Sequence, residues 1–256
     1  MRTVVIIPAR MGSSRFPGKP LARILDLPMI EHVRRRVCLC EDIDDVIVAT
    51  CDEEILRAVE DHGGKAVMTS DKHERCTDRI AEAARPLAAD VIVNVQGDEP
   101  CVFPQCVSDV ARPVRERDDC PCSTLIYPVA TYEELENPNY VKTVMSQSGS
   151  VLYFGRNVMP SRRKGESPKL YKQSGIMAYR RDFLLEFTAW PQTPLERVES
   201  CDMLRILEND RRIQGVVTPY ETPGVDIPGD IETVERLIRT AAEQQRLYER
   251  ILEMGN

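Results

Sequence analysis

The strongest constraint on the fold is an alternation in the first half of the chain. Short β-branched runs at 3–8 (TVVIIP), 45–49 (DVIVA), 66–68 (AVM) and 90–95 (DVIVNV) are separated by stretches with helical periodicity. Unbroken apolar runs of this kind suit parallel strands covered on both faces. Between them, 29–39 places Ile30, Val33 and Val37 on one face, and 52–62 groups Ile55, Leu56 and Val59. A third helix is predicted over 77–87, capped near Thr77. Strand–helix–strand units at this spacing imply right-handed crossovers, hence an α/β sandwich on a mainly parallel sheet.

The second half is more mixed. Runs at 123–129, 141–145, 151–154, 175–179 and 213–218 read as strands, and 182–188 and 195–207 as helices. The polar stretch 160–172 (PSRRKGESPKLYK) has two prolines and a glycine and reads as a mobile loop. One long helix is predicted over 230–253. With 256 residues, 42% of them hydrophobic, the chain can bury a sizeable core. The reading is a single α/β domain whose ligand-binding part covers about 1–120 and 205–256, with a sheet-rich lobe inserted at about 121–204.

Acidic residues outnumber Lys and Arg by 41 to 34, a net charge of -7, which argues against a nucleic-acid or membrane-surface binder. No apolar run approaches the ~20 residues of a membrane span, and the N-terminal run is too short for a signal-peptide core, so the expected location is cytoplasmic. Nine cysteines are present. The pairs Cys38/Cys40 and Cys120/Cys122 lack the spacing of a zinc or redox motif, so thiols are expected rather than disulfides or metal ligands.

Three segments carry chemistry. The first follows the opening strand: PARMGSSRFPGKPL, residues 8–21. Gly12 and Gly18 let backbone amides approach a ligand, Ser13 and Ser14 add donors, and Arg10, Arg15 and Lys19 bring three cations together. Such a loop suits a polyphosphate, although it matches neither the P-loop nor the dinucleotide fingerprint. The second segment, VNVQGDEP at 93–100, delivers Asp98 and Glu99 to the same sheet edge, a natural place for Mg2+ beside phosphate oxygens. The third, PGVDIPGD at 223–230, offers Asp226 in a rigid turn as a second carboxylate, with Asp230 as the N-cap of the last helix.

The histidines say less. His32, beside Arg34, Arg35 and Arg36, is expected at a solvated helix edge; His62 fits a helix C-terminus; His73 sits in a polar loop that could border the site. Arg162, Arg163 and Lys164 suit either an anionic substrate or plain solvation.

Taken in order along nearly the whole chain, VVIIPARMGSSRFPGKPL, PMIEHVRRR, VIVATCDEEI, TDRIAEA, VIVNVQGDEP, NPNYVKTV, GIMAYRRDFL, TPLERVES and GVDIPGD resemble the CMP-Kdo synthetases, the 3-deoxy-manno-octulosonate cytidylyltransferases. The first and the VIVNVQGDEP segments are the most specific. The resemblance implies a Rossmann-like nucleotidyltransferase fold with a smaller dimerisation lobe, a homodimer, and Mg2+-dependent transfer of CMP from CTP to a 3-deoxy-2-keto sugar acid for surface-glycan synthesis. It places Pro8, Ala9, Arg10, Gly12, Ser13, Ser14, Arg15, Lys19, Thr77, Asp78, Arg79 and Gln96 at the nucleotide. Gln96, Arg156, Gln173, Tyr179, Asp202 and Met203 then fall on the sugar side, and Asp98 and Asp226 at the metal. Arg10, Lys19, Asp98 and Asp226 are the residues expected to carry catalysis.

The sugar-side motifs depart from the family's pattern. Its H-x-S-G-T-[DE]-R is here His73-Glu74-Arg75-Cys76-Thr77-Asp78-Arg79; its R-H-x-G-I is Lys172-Gln173-Ser174-Gly175-Ile176; its L-E-Q-L-R is Cys201-Asp202-Met203-Leu204-Arg205. The same residues therefore also accommodate a cytidylyltransferase for another small acidic acceptor, or a nucleotide-binding relative without activity.

Overall fold

The computed structural model describes residues 1–160, 169–221 and 223–254, which form two compact units: 1–108 with 222–256, and 109–221. The expected boundaries lay near 120 and 205. Arg162, Arg163 and Lys164 lie outside the described residues.

In chain order the elements are β1 (Thr3–Ala9), the short pair β2 (Arg23–Ile24) and β3 (Leu27–Pro28), α1 (Met29–Cys38), β4 (Asp45–Thr50), α2 (Glu53–Asp61), β5 (Lys65–Met68), α3 (Cys76–Ala84), β6 (Val91–Asn94) and α4 (Pro104–Glu116). There follow β7 (Cys122–Pro128), α5 (Tyr132–Glu136), β8 (Lys142–Met145), β9 (Val151–Gly155), β10 (Tyr171–Arg180), α6 (Arg181–Ala189), α7 (Pro194–Glu199), α8 (Met203–Glu208), β11 (Gln214–Val217), α9 (Asp230–Thr240) and α10 (Ala242–Glu253).

The first unit holds a wholly parallel sheet in the order β6-β1-β4-β5, with Val5 opposite both Val46 and Val93. Every residue of β1 is buried, so both faces of the sheet are covered and the strand's apolar run needs no alternation. Each fully buried Val or Ile there contributes about 1.5–3 kcal/mol relative to exposure. The second unit is mixed: β7 pairs in parallel with β11 and antiparallel with β10, and β8 pairs antiparallel with β10 and β9.

Several expectations need correction. Helix α4 was not anticipated, because Pro113 lies inside it and hides its periodicity; yet Cys106, Val107, Val110, Ala111 and Val114 are buried at helical spacing. The helix expected over 195–207 is two, α7 and α8, because Ser200 adopts a left-handed conformation (φ 50°) that ends the first. The last helix also breaks, at the extended Ala241. An unbroken helix carrying Val234 and Ile238 inward would next bury residues near 241 and 245; the break resets the inward face to Gln244, Leu247 and Ile251. Asp230 is the first helical residue, not the N-cap, which is Gly229; nor does α3 begin at a Thr77 cap, since Arg75 precedes it without a side-chain cap bond. Among the described residues no two cysteines are joined, and no helix is long and apolar enough to cross a membrane.

His32 is likewise buried, not solvated. Its Nε2 lies 2.7 Å from the Ile24 carbonyl, its ring stacks on Tyr248 at 5.6 Å, and its Nδ1 is a buried atom without a partner. Burial, aided by Arg36 and Arg35, pushes the imidazole down to about 4. The folded state therefore binds fewer protons than the unfolded state between about pH 6.5 and about 4. Stability contributed by the neutral ring is present above this window and is lost as pH falls through it, by up to about 1.4 kcal/mol per pH unit. Urea denaturation at pH 7, 5.5 and 4.5 should show that slope in the wild type and a flatter one in His32→Gln.

Candidate active site

The site is built at the carboxyl ends of β1 and β6. These strands pair in parallel, with Ile6 opposite Asn94, so the chain leaves both at one edge and the loops that follow lie side by side. Gly97 is required there: a Cβ would stand 2.8 Å from the Pro8 carbonyl oxygen.

Met11 organises the loop after β1. Its carbonyl accepts the Ser13 amide at 2.8 Å and the Gly18 amide at 3.0 Å, and its own amide donates to Asp52 Oδ2 at 2.8 Å. Gly18, at φ 74°, turns the chain into a single 3-10 turn, Lys19–Leu21. Lys19 Nζ then donates to Asp98 Oδ2 and to the Val225 carbonyl, both at 2.7 Å. The Val225 amide in turn donates to the Asp98 carbonyl at 2.9 Å. Val225 is buried in a cluster with Ile24, Met29, Cys101, Val234 and Ile238, which anchors the turn and brings Asp226 to Arg15 Nη2 at 2.9 Å. The Asp226 and Ile227 amides donate to Asp230 Oδ2 at 2.8 and 2.9 Å, so the carboxylate expected to cap α9 holds this turn instead. Asp98 and Asp226, 128 positions apart by their residue numbers, thus both meet cations of the first loop.

A cavity of about 300 Å³ is lined by Pro8, Ala9, Arg10, Ser13, Ser14, Arg15, Lys19, Pro20, Gln96, Gly97 and Asp98 and, around the start of α3, by His73, Glu74, Arg75, Cys76 and Arg79; Asp226 is not among the lining residues and reaches it through Arg15. Five cations against two carboxylates make it a receptor for a multiply charged anion. Arg79 is buried, bonded to Thr69 Oγ1 and Cys51 Sγ; Gln96 Nε2 donates to Cys76 Sγ at 3.3 Å; His73 pairs with Glu82, whose carboxyl is held below the ordinary range by that contact and by the Ser70 amide. Of the residues expected at a nucleotide, Gly12, Thr77 and Asp78 do not line the cavity, and Thr77 is buried. Among the described residues no three His, Cys, Asp or Glu side chains cluster as a ready-made metal site. What the site offers is two carboxylates from separate loops.

The expected sugar-side residues of the second unit share one neighbourhood. Cys201 Sγ donates to Gln173 Oε1 and Gln173 Nε2 to Met177 Sδ, both at 3.8 Å; Tyr179 donates to Met177 Sδ at 3.2 Å and Met203 Sδ at 3.6 Å. Tyr179 and Met203 are 0% and 1% exposed. Arg156 is held by Glu199, through its amide and its Nε at 2.8 Å each, and Asp202 stands at the start of α8. Asp52, which anchors Met11, escaped the sequence reading, which took it only as the start of the helix over 52–62.

A family model described as cytidylyltransferase matches residues 4–213. A 3-deoxy-manno-octulosonate cytidylyltransferase of Geotalea uraniireducens is 46% identical over 93% of this chain and 99% of its own length. One from Desulfatibacillum aliphaticivorans is 44% identical with the same coverage. The solved structure of a CMP:2-keto-3-deoxy-manno-octonic acid synthetase complexed with CTP superposes with a TM-score of 0.90 at 38% identity, over 93% of this chain and 99% of that one. The cation-lined cavity at the switch from β1 to β6 thus sits in an α/β nucleotidyltransferase fold, and the chain belongs to the cytidylyltransferases, in the family of the CMP-Kdo synthetases.

Proposed function

We propose that this chain transfers CMP from CTP to the anomeric hydroxyl of 3-deoxy-manno-octulosonate, giving CMP-Kdo and pyrophosphate for a bacterial surface glycan. The observation that carries the proposal is that Arg15 and Lys19, which line a cationic cavity, pair with Asp226 and Asp98, in a chain whose relatives bear that activity in their names. Arg10, Arg15 and Lys19 neutralise the β- and γ-phosphates, and the Ser13 and Ser14 hydroxyls add donors. The acceptor oxygen then attacks the α-phosphorus in line. A P–O bond forms to the sugar, the bond to the β-phosphate breaks, and the hydroxyl proton is lost. Charge building on the leaving pyrophosphate falls on the same cations that bound it.

The donor set fits Mg2+, which takes one or two carboxylates and completes its shell with phosphate oxygens and water. Asp98 and Asp226 would hold it, and when bound it would neutralise the triphosphate and lower the pKa of the attacking hydroxyl. Each carboxylate has one oxygen bonded to a loop cation; as phosphates draw Lys19 and Arg15 away, Asp98 and Asp226 are released for that role.

Pyrophosphate release, measured with each of four nucleoside triphosphates against Kdo and a panel of sugar acids, tests this reading. Release dependent on both CTP and Kdo is expected. Tight CTP binding without acceptor-dependent release, or a preference for another acid, overturns it. The homodimer belongs to the same proposal, with sedimentation as its measurement.

A further inference from the structure

One carboxylate outside the residues assigned so far reaches the phosphate loop from a different element. Asp52 occupies the N-cap position of α2, where an Asp ordinarily accepts an amide of the helix's first turn, but its side chain makes no such bond. Its Oδ2 instead accepts the Met11 amide at 2.8 Å, across 41 residues. Met11 is the residue whose carbonyl takes the Ser13 and Gly18 amides, so it is tied at both ends, and the course of the loop from Arg10 to Lys19 runs through it. The same Asp52 oxygen accepts Cys51 Sγ at 3.5 Å, and that sulfur accepts Arg79 Nη2 at 3.4 Å. Arg79 lines the cavity. A continuous chain of contacts, Met11–Asp52–Cys51–Arg79, therefore joins the phosphate loop to the first turn of α3.

We propose that Asp52 is a positioning residue for the triphosphate: it holds the Met11 amide so that Arg10, Ser13 and Arg15 are presented as one preformed set. The inference rests on the cytidylyl-transfer reading and deepens it. A loop fixed before the ligand arrives loses less freedom on binding, so release of the Met11 amide should weaken groups that bind through phosphates and spare those that do not. Asp52 touches no reacting atom, so it acts on CTP and pyrophosphate only through the cations that the loop presents.

The test compares full-length Asp52→Ala and Asp52→Asn with the wild type. In Asp52→Ala, KM for CTP and the inhibition constant of pyrophosphate should both rise about tenfold, the scale of one lost charge-assisted hydrogen bond. KM for Kdo and inhibition by CMP should stay within about twofold, since neither depends mainly on the β- and γ-phosphates. Asp52→Asn keeps an acceptor oxygen and should recover most of the loss. Hydrogen exchange of the amides at 11–18 should quicken in Asp52→Ala while that of β1 and β4 stays unchanged. Unaltered CTP and pyrophosphate constants, or a loss spread equally over CTP, CMP and Kdo with faster exchange in the strands, overturns the proposal. Should the wild type release no acceptor-dependent pyrophosphate, the cytidylyl-transfer reading fails by itself. Pyrophosphate binding and amide exchange then still decide the role of Asp52.

Discussion

Asp98→Ala is expected to lower kcat by about 10²–10³-fold while the protein stays folded. The expectation separates what the residue does through its backbone from what it does through its carboxylate. The Asp98 carbonyl accepts the Val225 amide at 2.9 Å, a bond alanine retains, so the turn that carries Asp226 keeps its anchor. The carboxylate is 37% exposed and paired with Lys19, and a pair of that kind contributes about 0–1 kcal/mol to stability. Its loss is small for the fold and, on the proposed function, large for the reaction, where it removes one of the two groups that would hold Mg2+ against the triphosphate. Asp98→Asn, which still offers Lys19 an oxygen but no charge, should be nearly as slow. Pyrophosphate release gives the rate, a thermal melt the folding, and Mn2+ binding in the presence of CTP an independent measure of the metal role. A folded Asp98→Ala enzyme with a near-normal rate would falsify the assignment.

The parts of this site that are local in sequence were legible from it. Glycines, serines and three cations packed behind an apolar run describe their own loop, because the properties that suit a polyphosphate belong to neighbouring residues. Strands β1, β4 and β6 were legible for the same reason: β-branched runs buried on both faces leave a continuous signal. What escaped depends on distant partners. Lys19 bonds to a carbonyl 206 residues away, and Asp52, read only as the start of a helix, holds Met11 across 41 residues. Charge pattern misled most on α1, where three consecutive arginines look like a solvated face and are instead covered. Nothing in residues 29–38 says that α10 will lie on them.

That misreading sets up the largest expected effect on stability, Glu31→Ala. Glu31 is fully buried, and its carboxylate accepts Arg34 Nε at 2.7 Å, Arg34 Nη2 at 2.6 Å and Arg35 Nε at 2.9 Å. Arg35 also donates to the Ile251 carbonyl on α10, and neighbouring Arg36 to Gln244, whose own amide reaches the Cys101 carbonyl behind the site loop. Removing the carboxylate leaves two buried guanidiniums without a counter-charge, a change that costs about 3–5 kcal/mol. At about 2–4 °C per kcal/mol for a chain of this size, the melting temperature should fall by roughly 10 °C. Glu53→Ala is the matched control. Glu53 pairs with Arg57 on α2 at the same i,i+4 spacing as Glu31 with Arg35, but both partners are about two-thirds exposed, so its loss should cost no more than about 0.5 kcal/mol. Urea denaturation of the two variants isolates burial as the variable. Equal losses would mean that the Glu31 cluster is solvated in solution and that α10 does not cover α1. A large difference would establish that burial of the Glu31–Arg34–Arg35 cluster, rather than the ion pairs as such, sets its contribution to stability.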